Sequence, residues 1–371
     1  MKQFYDINVY VYGFVFAYSL EWFYNLLAFD IYKRLNLTFH QMLIVSLVGS
    51  ISSALSAHLI PKLNRFVSLK SLCFLQVVLY LIALSLLIHS ESINLQILAK
   101  ILAGFGAGIL FSCFDLWLCL HVENNGLDYK NVAGSALLWN SCVAVFLGIF
   151  IENIYSYFWI FGLFALFSIS NFNNYLSPFE KQNDDGSKTP IPKFEEGFYK
   201  LLCCQVCFEC SIVLFVFSWQ NIYSLHDATW LSQSKMFSIL MLVAGFSSYL
   251  SQYMKVNHIK LLLISSFLGF SLFYIMQSFE VMMITFLIFE CVIGSFFPVI
   301  GAIREQWDAK TRSRYQSLTQ ILINLLVAIV VFSANILKFD ENEFVILIVA
   351  SLFGASYFGS RIKTPEQIKN A

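Results

Sequence analysis

Lys100, Gly104, Gly108, Ser112, Asp115 and Cys119 follow one another at steps of four or three residues through a stretch otherwise rich in Leu, Ile and Phe. On a helix that spacing puts all six on one face. The stretch runs from residue 100 to 125, long enough to cross a bilayer, which takes about 20 residues. A lysine and an aspartate each cost at least ~2.5 kcal/mol when left unpaired in hydrocarbon, so this face is expected to turn away from lipid. The small residues fit a close-packing seam with another helix. The two ionisable groups fit the wall of a functional cavity. Three further carboxylates, Glu21, Glu209 and Glu290, also interrupt apolar runs. At 1.5 Å per residue these three fall within about 5 Å of the middle of their runs, with Asp115 nearer one end. Buried carboxylates of this kind hold protons or cations, which is chemistry for moving a solute rather than for breaking bonds.

The elements that position them are apolar spans. The 371 residues are 58% hydrophobic, 17% aromatic and only 12% charged. A soluble domain carries about twice that charge, so the chain reads as a polytopic membrane protein. A formal net charge of zero gives no electrostatic footprint for nucleic acid. Residues 1–6 are short and polar and the apolar run from Val9 is too long for a signal peptide, so it is expected to be the first span. Twelve spans are predicted, at 8–29, 41–61, 71–89, 96–120, 133–152, 154–171, 200–221, 232–253, 258–277, 281–303, 316–337 and 343–360. The long polar insertion between the sixth and seventh has the composition of a linker. Residues 1–171 and 200–371 are therefore expected to form two six-helix bundles joined by a linker at 172–199.

Basic residues set the orientation. With the N-terminus inside, about 18 of the 23 Lys and Arg are cytoplasmic and about 4 are not, with Lys100 in a span. Both termini are thus expected in the cytoplasm, the plasma membrane being the expected location. The chain is expected to be all-α.

Six plus six spans around a central linker resemble the major facilitator superfamily, whose halves are parallel repeats with the substrate site between them. Glu21 and Glu209 lie in first helices of the two halves, and Asp115 and Glu290 in fourth helices. The motif Lys100-x-x-x-Gly104-x-Gly106-Ala107 resembles the superfamily's fourth-helix signature, with Lys for the usual Arg. The segment from Ala57 to Arg65 resembles the loop signature between helices two and three, with Pro61 for the usual Asp and Asn64 for the usual Gly.

A narrower resemblance is to the molybdate-anion transporter family. It is carried by Leu20-Glu21-Trp22-Phe23-Tyr24, by Phe111 to Trp117 with His121-Val122-Glu123, and by Trp139-Asn140. Phe208-Glu209 with Phe215 to Trp219, and Phe289-Glu290 with Gly294, Phe297-Pro298 and Arg304, complete it. It implies transport of a small anion such as molybdate. It also implies an arginine where Ser135 stands and an Arg-Pro pair in the run Thr319–Asn324, and both are missing. Arginine's planar fork suits a tetrahedral oxyanion, so Lys100 is left as the clearest cavity cation.

The site expected from all this comprises Glu21, Lys100, Asp115, Glu209 and Glu290, with Trp139, Asn140 and Trp219 as contacts. Gly104, Gly108, Gly294 and Pro298 are the conformational positions, Pro298 bending the tenth span beside Glu290. Cys203, Cys207 and Cys210 share a helical face, but one helix does not wrap thiolates around an ion, so no metal or cofactor is expected. No phosphate loop, nucleophile elbow or His-Glu-x-x-His motif occurs, so no enzyme is expected. The expected activity is secondary active transport by a monomer, its partners the bilayer, a small solute or ion, and protons. The alternatives are a proton-coupled carrier of a cation or other small solute, and a non-transporting receptor or assembly subunit.

Overall fold

The structure is a computed structural model that describes residues 2–64, 66–172, 196–226, 232–305, 307, 309–339 and 341–362. Among these the chain forms twelve long helices and no strand. They are α1 (Lys2–Arg34), α2 (Phe39–Leu63), α3 (Leu69–His89), α4 (Ile93–Asn125), α5 (Tyr129–Ile154) and α6 (Phe158–Ser170), then α7 (Glu196–Ser224), α8 (Gln233–Leu250), α9 (Val256–Met276), α10 (Phe279–Arg304), α11 (Ala309–Leu337) and α12 (Glu341–Ser360). Each predicted span meets one helix. The largest overrun is at α11, which starts at 309 rather than 316. The run there contains Lys310, Arg312 and Arg314, which end a hydropathy signal but not a helix. The tight pair at 133–171 divides at a short 3-10 turn, Tyr155–Tyr157.

Ten of these helices are long and apolar enough to cross a membrane. The other two depart for opposite reasons: α1 has 33 residues but is diluted by Tyr, Trp and Asn, whereas α6 is strongly apolar but has 13. Polar caps fix several starts. Thr38 and Gln41 close a capping box on α2, and Ser68, Ser232 and Ser278 accept from backbone N–H groups in the first turns of α3, α8 and α10. Gly126 ends α4 in the left-handed region, with φ 62°, and the Leu127 amide returns to the Val122 carbonyl.

The two bundles repeat one set of neighbours. α1 packs on α5 and α6, α4 on α2 and α3, and α3 on α6; α7 likewise packs on α11 and α12, α10 on α8 and α9, and α9 on α12. Between bundles, α2 lies along α11 and α5 along α8. Glycine permits the closest approaches, and they recur as well. A Cβ on Gly104 of α4 would meet the Gly49 carbonyl of α2, and one on Gly294 of α10 would meet the Ala244 carbonyl of α8. Such approaches let helices pack by van der Waals contact where lipid supplies no hydrophobic drive.

Helix α4 is continuous but not uniform. Its α-helical parts, Ile93–Ile109 and Asp115–Asn125, flank a π-helical turn at Leu110–Phe114. Most of the expected linker, 173–195, lies outside the described residues, as does Arg65 of the loop after α2. Its first residue, Phe172, stacks on Trp117 of α4 with ring centroids 3.9 Å apart.

Candidate functional site

Two spaces lie between the bundles and share a wall. The larger, about 1660 Å³, is lined by Glu21, Lys100, Glu209, Trp219 and Glu290. The second, about 1100 Å³, is lined by Asp115, Asn140, Glu209, Glu290, Gly294 and Arg304. Tyr18, Trp22, Phe111, Phe297, Glu209 and Glu290 line both, so the spaces meet at a ring of aromatic side chains and two carboxylates. α1, α4, α7 and α10 each contribute to that meeting point.

The four intramembrane acids are not equivalent. Glu21 feels the charge of Lys100 and bonds the Asn25 side chain. Lys100 Nζ also stands 5.1 Å from the centre of the Tyr24 ring, a cation-π contact. Glu209 Oε1 accepts from Gln205 Nε2 at 2.6 Å, and Gln320 also bonds Glu209. Asp115 is held by Tyr129 Oη at 3.1 Å and by Arg304 at 3.4 Å. Glu290 is the most buried, at 3% exposed, and its Oε2, like that of Glu21, is without a hydrogen-bond partner among the described residues.

The end of the bundle that carries residues 126–128, 305 and 307 is tied across the two halves. Arg304 of α10 forks onto Asp115 of α4, with side-chain exposures of 8% and 23%, and donates to Gln316 Oε1 of α11. Gln316 Nε2 in turn donates to the Phe111 carbonyl at 3.2 Å. Phe111 lies in the π-helical turn of α4. Nearer the surface, Arg312 pairs with Glu123 at 2.9 Å, with exposures of 8% and 61%. Ser317 donates to the Ala57 carbonyl of α2. A hydrogen-bonded chain runs from this closure into the cavity: Tyr315 Oη donates to Gln205 Oε1, and Gln205 donates to Glu209.

The helical stripe from Lys100 to Cys119 divides. Lys100 and Gly104 line the larger space, whereas Ser112, Asp115 and Cys119 border a small pocket beside Arg312. Gly108 is a packing position, where a Cβ would meet the Ser53 carbonyl at 2.7 Å and Ser56 Cβ at 2.8 Å. Ser52 and Ser56 of α2 also donate to the Ile101 and Phe105 carbonyls, so this face is both seam and wall. Asn140 is 3% exposed and accepts from Trp22 Nε1 at 3.1 Å, whereas its neighbour Trp139 is 58% exposed on the outer surface. Trp219 is 6% exposed and Pro298 is buried inside α10. Among the described residues no cluster of three or more His, Cys, Asp or Glu is placed to hold a metal.

Tyr18 and Trp22 at the meeting point, and Arg304 on the second space, were not among the expected site residues, although Trp22 and Arg304 belong to the stretches that carry the family resemblance. Tyr18 and Trp22 carry a legible signal, since Phe14, Tyr18 and Trp22 recur at steps of four on the side of α1 facing α4.

The fold has known counterparts. A family model described as sugar transporters with 12 transmembrane segments matches residues 1–175. The human organic anion transporter MFSD10 (TETRAN) superposes with a TM-score of 0.62 at 10% identity, covering 94% of this chain and 98% of its own. A single-substitution variant of the nucleoside transporter NupG superposes with a TM-score of 0.64 at 12% identity, covering 96% of this chain and 99% of its own. No curated protein sequence matches the chain. The fold is therefore that of the major facilitator superfamily, and the N-terminal match supports the same superfamily for the sequence.

Proposed function

We propose that the chain is a secondary active transporter working by alternating access, with a small organic solute carried between the bundles and coupled to protons. The observation that carries this reading is the placement of acids from both bundles, on α1, α7 and α10, along joined aromatic-walled spaces. One end of those spaces is tied shut by ion pairs between the bundles. Carboxylates in such a wall take up and release protons as the cavity changes sides. The sugar-transporter family match and the organic anion and nucleoside transporters of the same fold are in keeping with an organic solute. A small oxyanion such as molybdate is the second reading. It rests on the residue resemblance and on Lys100 in the wall, but Lys100 is engaged by Glu21 and Arg304 by Asp115.

In this reading 1–171 and 200–371 move as bodies about the linker, and one copy suffices. The tied end, with both termini, faces the cytoplasm at the plasma membrane. Cysteines placed at 181–195 and at 370 then label from the cytoplasmic side alone.

Uptake into proteoliposomes under an inward proton gradient tests the function. The panel comprises nucleosides, sugars, organic cations, molybdate, sulfate and phosphate. Proton-driven accumulation of an organic solute is expected, and at least one of Glu209→Gln and Glu290→Gln should lose it while retaining exchange. Accumulation of molybdate alone would select the anion reading. No flux of any solute, with a stable partner co-purifying, would replace transport by a receptor or assembly role.

A further inference from the structure

We infer that Glu290 is the counter-ion for an organic ammonium ligand, received among Tyr18, Trp22, Phe111 and Phe297 where the two spaces meet. This deepens the transport reading by naming the charge and shape of its solute. Of the four acids within the spans, three have partners: Glu21 has Lys100 and Asn25, Glu209 has Gln205 and Gln320, and Asp115 has Arg304 and Tyr129. Glu290 is the most deeply buried of the four and lines both spaces; its Oε2, like that of Glu21, has no hydrogen-bond partner among the described residues, but Glu21 has the Lys100 charge beside it. A buried, unpaired carboxylate is a strained ground state that a cation relieves.

The walls select the kind of cation. Tyr18 stands 5.4 Å from Trp22, tilted at 45°, and 5.8 Å from Phe111, edge-on at 78°. These rings line both spaces, and aromatic ring faces attract ammonium groups, quaternary ones included. Ile293, Met241, Glu209 and Gln320 complete the lining that the two spaces share. Hard metal cations take six or more oxygen ligands, and among the described residues no group of three or more His, Cys, Asp or Glu is placed to hold one. The other charged or titratable groups on the larger space are Glu21, Lys100, Glu209 and the tyrosines Tyr18, Tyr24 and Tyr80. An anion there meets three carboxylates against one engaged lysine. A neutral solute leaves Glu290 as it was.

The test is binding to the purified full-length chain in lipid nanodiscs, read by tryptophan fluorescence. The probes are phenethyltrimethylammonium and its uncharged isostere with a quaternary carbon in place of nitrogen. The ammonium is expected to bind at least about tenfold more tightly than the isostere. Glu290→Gln should bring the two within about twofold, and Glu209→Gln should keep most of the preference. If Glu290→Gln does not fold, Phe297→Leu decides: it should weaken the ammonium more than the isostere. Equal binding of both probes to the natural chain, no binding of either, preference surviving Glu290→Gln, or equal losses in Phe297→Leu would each overturn the inference. Selective binding without flux in proteoliposomes would instead sink the transport reading alone.

Discussion

Replacing Asp115 by Asn tests the closure between the bundles most directly. Asn keeps the shape and still accepts from Tyr129, but it removes the charge that Arg304 faces at 3.4 Å. Taking one partner from a buried ion pair costs about 3–5 kcal/mol. Asp115 is 23% exposed on its side chain, which places this pair at the lower limit, about 3 kcal/mol. The stranded guanidinium regains water if that end of the bundle opens, so much of the cost is relieved by opening rather than by unfolding. At about 1.4 kcal/mol per tenfold, the equilibrium moves toward the open form by about 100-fold. Glu123→Gln is the internal control. Glu123 is 61% exposed, and an exposed pair is worth about 0–1 kcal/mol, so the shift is at most about fivefold. The assay is the distance between spin labels at exposed positions 124 and 314, in a chain whose native cysteines have been replaced. Asp115→Asn should add a long-distance population, and Glu123→Gln should leave the distribution nearly as it was. An unchanged distribution for Asp115→Asn, or equal changes for the two, would refute the reasoning.

Gly108→Leu should abolish folded yield, because its side chain would drive into the Ser53 carbonyl and Ser56, whereas the buried, volume-conserving Leu110→Ile should cost less than about 1.5 kcal/mol by thermal unfolding. Trp139→Leu on the exposed surface should leave transport and stability nearly unchanged, while Asn140→Leu should impair transport by stranding the Trp22 N–H; equal effects would contradict their placement. Burial first, then the nearby Asp128 and Glu123 charges, push the Glu305 carboxyl up from its ordinary range against the opposing pull of Arg312. Ionised Glu305 is therefore disfavoured in the folded chain. Glu305→Gln should raise the melting temperature at neutral pH, and that advantage should disappear as pH falls through the folded and then the unfolded pKa. An advantage that grows on acidification would show the opposite sign.

Periodicity and hydropathy made the twelve helices legible because each must satisfy its own backbone in lipid, which local sequence records. The acids were legible for the same reason: Glu21, Asp115, Glu209 and Glu290 stand out against apolar runs. What those acids touch was not. Asp115 and Arg304 are 189 residues apart in the chain, and their pairing depends on how two bundles meet. Trp139 and Asn140 are adjacent, so one residue's rotation, about 100° on a helix, sends one to the surface and the other to Trp22. Residue types could not tell that Gly104 is both seam and cavity wall while Gly108 is seam, since both roles ask for small side chains. The π-helical turn in α4 has no marker in composition.

That turn gives α4 two phases in one rod. Residues up to Ile109 are keyed to α2 through Gly104 and Gly108, while Asp115 is keyed to Arg304 across the bundles. The wide turn between them absorbs the difference in angle, as such turns do at functional positions in other helices. Deleting any one residue from 110–114 would let the helix wind evenly. Five residues wound as a π turn sweep nearly the same angle as four wound as α-helix, so Asp115 would keep its angle to the glycines and lose only the widened turn. The same residues wound evenly without a deletion would instead swing Asp115 by roughly a quarter turn away from Arg304, so the alignment of the closure rests on that one extra residue being taken up between Leu110 and Phe114.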